Sequence, residues 1–171
     1  MKILKILFIV VVALLLATAC SNKKAQTRQE QIEEFRSMLT AEDTTQMLQL
    51  CDNAMELLKG KKIDEVVASL YEYNDSTKEV KPLSKDLAQR YANKFKLFPV
   101  LEYTRRYYSF QLEGCNDVKY DVVFATAKQA GTDKAPMTAF MFNPVKIDGE
   151  WKLCLKTLND QIDLYKSDIN K

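Results

Sequence analysis

The chain of 171 residues carries 25 basic and 23 acidic side chains, is 47% hydrophobic and 28% charged, and contains four glycines and four prolines. That length suits one domain with at most a tail, and the composition excludes a disordered, collagen-like or low-complexity chain. Histidine is absent altogether, so the commonest general base and the commonest metal ligand are both missing, and Ser-His-Asp catalysis and His-containing zinc sites are excluded.

In chain order, Met1-Lys2 and Lys5 make a basic start, Ile6 to Ala17 is uninterruptedly apolar, and small residues lead to Cys20. The apolar run falls short of the roughly 20 residues that a membrane-crossing helix needs, and its order is that of an export signal. Residues 1–20 resemble a bacterial lipoprotein signal with its lipobox, although Ala17 stands where that pattern prefers Leu. The resemblance implies that residues 1–19 are removed, that Cys20 is acylated, and that the protein is lipid-anchored in the cell envelope. With Ser21 next, the outer membrane, facing the periplasm, is the expected place. The alternatives are a secretory signal cut after Ala19 or an uncleaved anchor. Cleavage takes Lys2 and Lys5 and no acid from the chain, leaving a formal side-chain charge of zero. No basic patch then argues for nucleic acid.

Residues 20–39 read as a tether, with a weak helical pattern at Ile32, Phe35 and Leu39, and residues 40–171 read as a single domain with a C-terminal tail. Thr40 and Asp43 have the spacing of a capping box, and Met47, Leu50, Cys51, Ala54, Leu57 and Leu58 form an apolar stripe. Gly60 stands where a helix end takes a positive φ, so the expected helix spans 41–59. Ile63, Val66, Val67 and Leu70 suggest a short helix ending before the turn-rich Asn74-Asp75-Ser76. Ser84 caps a third, carrying Leu87, Tyr91 and Phe95 and stopped by Pro99.

Beyond Pro99 the apolar period becomes two. Tyr108, Phe110 and Leu112 make one strand, Val118, Tyr120, Val122 and Phe124 a second, and Phe140 and Phe142 with Val145 and Ile147 a third. Asp148-Gly149 is the signal of a type I′ hairpin turn leading to Trp151, Leu153 and Leu155. The expectation is α+β: N-terminal helices packed on a curved antiparallel sheet built as a four-strand meander.

This order of elements, with the ending Val145-Lys146-Ile147-Asp148-Gly149-Glu150-Trp151-Lys152-Leu153, resembles the nuclear transport factor 2-like superfamily of cone-shaped domains over roughly residues 43–157. The resemblance implies the fold; for function it implies only that isomerases, dehydratases, binding modules and accessory domains share it. Enzymes of that superfamily place an Asp or His base in the cone opposite a Tyr or protonated acid. Here Asp121 lies at the parity opposite to Tyr120, and Glu102, Glu113 and Asp117 are strand-end acids. Tyr91, Tyr108, Tyr120 and Trp151 are the residues that would rim an apolar ligand pocket, with ordinary core packing as their other reading. The expected function is therefore a non-catalytic binding or accessory module, and the alternative is an acid and tyrosine-based isomerase or lyase.

Val123, Ala125 and Ala127, with Ala139 and Met141, form an apolar patch on the sheet face away from the helices. A homodimer through this face is expected, and a fold-back of Leu158, Ile162, Tyr165 and Ile169 is the alternative. Cys51, Cys115 and Cys154 lack zinc spacing, so no metal and no cofactor is expected. Strand geometry places Cys115 and Cys154 too far apart for a disulfide.

Overall fold

The computed structural model describes residues 26–155 apart from 75 and 113. The signal segment, Cys20, Glu113 and the apolar C-terminal positions from Leu158 onward lie outside the described residues. The chain divides into two compact units, Met1–Gln31 and Ile32–Lys171. In the first, Thr27 and Glu30 cap each other reciprocally: Thr27 N donates to Glu30 Oε2 at 2.7 Å and Glu30 N to Thr27 Oγ1 at 3.3 Å. They start helix α1, Arg28–Met38, within the stretch read as a tether.

The second unit holds the α+β body. Helix α2 spans Ala41–Lys59 and opens with the expected capping box, Asp43 N donating to Thr40 Oγ1 and Thr40 N to the Asp43 carboxylate. Its end differs from expectation: Gly60 has φ −74°, and the positive φ falls one residue later, on Lys61 at 61°. Helix α3 is Ile63–Ser69, and α4, Lys85–Leu97, is capped by Ser84.

Between α3 and α4 the chain forms a hairpin, β1 (Leu70–Asn74) and β2 (Glu79–Pro82), where only a turn was expected. Leu70 thus begins a strand instead of ending a helix. The turn residues were legible because Asn74 Oδ1 accepts from Ser76 N and Thr77 N at 3.0 and 3.1 Å. The flanking Tyr71-Glu72-Tyr73 lacks the apolar alternation that marks a strand.

Strands β3 (Glu102–Ser109), β4 (Asp117–Val123), β5 (Met137–Ile147) and β6 (Glu150–Leu155) form the four-strand meander, but β3 lies earlier than expected, with Phe110 and Leu112 beyond its end, and Phe124 lies beyond β4. A short helix, α5, Ala127–Ala130, precedes β5. The sheet order is β2-β1-β6-β5-β4-β3. Every pairing is antiparallel except β1 with β6, so the sheet is mixed. Asp148 and Gly149 both take positive φ, 50° and 83°, as a type I′ turn requires.

Helices α2, α3 and α4 cover one sheet face. Met47, Cys51, Ala54, Met55 and Leu58 of α2, with Val66 and Phe95, pack on Val118, Tyr120, Val122, Phe140, Phe142, Leu153 and Leu155. Each Val, Leu, Met or Phe among them fully withdrawn from water contributes roughly 1.5–3 kcal/mol before chain entropy is counted. The opposite face is closed at one end by the β3–β4 connection. Asn143 Nδ2 donates to Gly114 O at 2.6 Å and Asn116 Nδ2 to Pro144 O at 2.9 Å. Gly114, at φ +80°, lies so close to the Tyr73 ring that a Cβ there would meet it at 2.1 Å.

Candidate functional site

The chain entering α2 and the end of β3 together frame a groove of about 460 Å³, lined by Arg36, Leu39, Thr40, Ala41, Thr44, Tyr108, Ser109 and Phe110. Its walls follow from two local features. Arg36, in the last turn of α1, donates from Nε to Phe110 O at 2.7 Å, which fixes the helix end to the end of the strand. A register shift between Arg105 and Tyr107 then decides which tyrosine faces the groove. Before it, Tyr103 and Arg105 lie opposite Val122 and Tyr120 on the helix side; after it, Tyr108 lies opposite Val118 on that same side. Without this bulge Tyr107 would take the place of Tyr108, because the strand period is two.

Tyr108 is 48% exposed. Its ring stands 6.1 Å from that of Phe110, whose ring is 6.2 Å from Trp151. Trp151 in turn donates from Nε1 to Asp43 Oδ1 at 3.3 Å. The floor beneath the groove is therefore tied to the start of α2. Asp43 is buried, accepts from the Thr40 cap and pairs with Lys146 of β5. The Lys146 ammonium and the Thr40 backbone N–H hold its carboxyl far below the usual carboxylate range, against the opposing effect of burial.

Of the four aromatic residues singled out in sequence, Tyr108 lines the groove and Trp151 backs it through Phe110. Tyr91 and Tyr120 stand elsewhere. Tyr91 lies on α4 against Phe95, with ring centroids 6.0 Å apart, and the Lys94 ammonium is over its ring at 5.7 Å. Tyr120 is 0% exposed, packed edge-on against Tyr103 and Phe142, and donates to Asp52 Oδ1 at 2.6 Å. Arg105 Nη1 donates to the other Asp52 oxygen at 2.9 Å, and Tyr103 donates to Glu56 Oε1 at 2.6 Å. This acid–tyrosine network was missed because its acids are helical, on the flank of the α2 stripe, whereas only strand and strand-end acids were considered.

Chemically the network holds phenols in their neutral form. Burial, then the bond to Asp52, pushes Tyr120 well above the ordinary phenol range, and burial with the bond to Glu56 does the same for Tyr103. Asp121 points to the opposite face, as expected, 3.9 Å from Arg106.

On that outer face Val123, Ala139 and Met141 are half-buried and Met137 is 58% exposed. Ala125 and Ala127 are not part of it: β4 ends at Val123, and Thr126 caps α5 through Gln129. Among the described residues no group of three or more Cys, Asp or Glu side chains is placed to hold a metal ion, and no helix is long and apolar enough to cross a membrane. Comparison with protein-family models, with curated proteins and with solved structures finds no match.

Proposed function

We propose that this chain is a lipid-anchored cell-envelope protein whose folded part is a non-catalytic binding module, with the groove around Tyr108 as its ligand site. The groove carries the reading. It sets exposed aromatic surface beside a fixed guanidinium, within the volume range of small-molecule sites. The order of elements and the Asp148-Gly149 hairpin support a nuclear transport factor 2-like cone as the finer description of the fold. The small-residue approach to Cys20 supports the anchor at the outer membrane, facing the periplasm.

The Tyr120–Asp52 pair is the observation that favours an isomerase or lyase instead. It is the weaker reading, because Tyr120 is wholly enclosed and Asp52 already serves Arg105. Two experiments test the proposal. Cys20→Ala should move the protein from the membrane to the soluble fraction, and a variant that stays membrane-bound at full length rejects the anchor. Native mass spectrometry of protein extracted from its own membranes should show a small molecule that Tyr108→Ala no longer retains. Retention unchanged by that substitution rejects the groove.

A further inference from the structure

Resting on the reading of the groove as a ligand site, we infer that it takes a monocarboxylate with a flat apolar body. Arg36 supplies the recognition. Its Nε is committed to Phe110 O at 2.7 Å, which orients the guanidinium and leaves both Nη groups as an end-on fork. Among the described residues no acid forms an ion pair with Arg36. The charge of the ligand follows from what stands nearby. Among the described residues Arg36 is the single cation in the lining, and the first turn of α2 beside it carries Glu42 and Asp43. Asp43 is neutralised by Lys146, and among the described residues Glu42 accepts only from the neutral Gln46 amide at 3.0 Å. A dianion such as phosphate would meet one cation and one uncompensated acid, whereas a carboxylate matches the fork in both charge and shape.

The body of the ligand follows from the other wall. Tyr108 and Phe110 present ring surface, Leu39 and Ala41 alkyl surface, and the Thr40 and Thr44 hydroxyls are spent on Asp43 and on Thr40 O. Besides the Ser109 and Tyr108 hydroxyls, few polar groups therefore remain for a heavily hydroxylated ligand, and a planar apolar ring stacked on Tyr108 fits.

The sole tryptophan, Trp151, lies behind Phe110 and reports occupancy by its fluorescence. The mature chain should be titrated with 3-phenylpropionate, with its neutral amide and with inorganic phosphate. Phenylpropionate should bind at least about tenfold more tightly than the amide, a difference corresponding to one charge-assisted contact, and phosphate should not bind. Arg36→Gln should abolish the preference while the amide still binds, and Tyr108→Ala should weaken both organic probes. Equal affinity for carboxylate and amide, or tighter binding of phosphate, overturns the carboxylate assignment and leaves the groove standing. Binding of neither organic probe overturns the groove reading and this inference with it.

Discussion

The phenolic oxygen of Tyr120 lies 2.6 Å from Oδ1 of Asp52, joining the middle of β4 to the middle of α2 beneath a fully packed core. Because Arg105 holds the other carboxylate oxygen, one helical acid fixes two neighbouring strands to the helix layer. Tyr120→Phe should cost roughly 1.5–3 kcal/mol, the usual worth of a hydrogen bond to a charged group. Asp52→Ala should cost more, since it leaves the buried phenol and Arg105 both unpartnered. A double-mutant cycle by urea unfolding should give a coupling of at least about 1 kcal/mol; strict additivity would mean that the bond adds nothing.

The same bond has a pH signature. A phenol whose pKa is raised on folding stabilises the native state below the unfolded value of about 10, and that contribution is lost as pH rises beyond it. Of the eight tyrosines, Tyr103 and Tyr120 should ionise last. Ultraviolet titration of the native protein should leave part of the tyrosinate absorbance to appear only on alkaline unfolding, and complete native titration near pH 10 would contradict the assignment.

Asp43 acts in the opposite pH window. Its carboxyl is held low by Lys146 and by the Thr40 N–H, so its contribution is present above the unfolded pKa of about 3.9 and is lost as pH falls below it. Asp43→Asn keeps an oxygen for the cap and removes the charge. It should cost roughly 1–2 kcal/mol at pH 7, allowing for a Lys146 side chain that is 36% exposed, and less at pH 2, where the unfolded chain's carboxyl is already protonated. An equal loss at both pH values would show that the ion pair is not the cause.

The meander and three helices were legible because each rests on a local signal: the Thr40 and Ser84 caps, the α2 stripe and the Asp148-Gly149 turn. Hairpin β1–β2 was not, since Tyr71-Glu72-Tyr73 is held by backbone pairing to β2 on one side and to β6 on the other and carries no apolar alternation of its own. The groove was half legible. Tyr108 and Trp151 were singled out, but Arg36 joins them only because α1 docks on Phe110, and the β3 bulge that selects Tyr108 leaves no mark in composition. Asp52 escaped notice for a related reason: a polar residue beside an apolar helical stripe normally reads as solvent-facing.

Among the described residues, Cys51, Cys115 and Cys154 form no disulfide with one another. The β3–β4 connection folds back over the outer face, where Gly114 meets Asn143 of β5 and the Tyr73 ring of β1, the strands flanking β6, so Cys115 is not set off from Cys154 by the sheet separation that strand spacing suggested. Asn116, next to Cys115, reaches Pro144, and Cys154 lies opposite Asn143. Burial pushes the Cys154 thiol up to about 12 and the Cys51 thiol higher still. Iodoacetamide at pH 8 should therefore label half-buried Cys115 first, and Cys51 and Cys154 only after unfolding. A bridged pair in the intact mass, or labelling of all three at one rate, would refute this placement.

The outer sheet face supplies the last prediction. Val123, Ala139 and Met141 stand in neighbouring register on β4 and β5, with exposed Met137 at the end. Two copies meeting there would have to remove roughly 800 Å² per copy from water to make a stable pair. Those four side chains cannot supply that area alone, so Tyr107, on the same face opposite Lys119 and 42% exposed, has to take part. Asp121, directly opposite Ala139 in the middle of this face, and Arg106, 3.9 Å from it, would then be enclosed in the seam as an ion pair. Sedimentation of the mature chain should show a dimer. Ala139→Glu should convert it to a monomer, because the substitution places a second carboxylate directly opposite Asp121 at the pairing face and leaves the helix-side core untouched. A wild-type monomer at every accessible concentration, or a dimer indifferent to Ala139→Glu and to Tyr107→Ala, would remove this face as the contact.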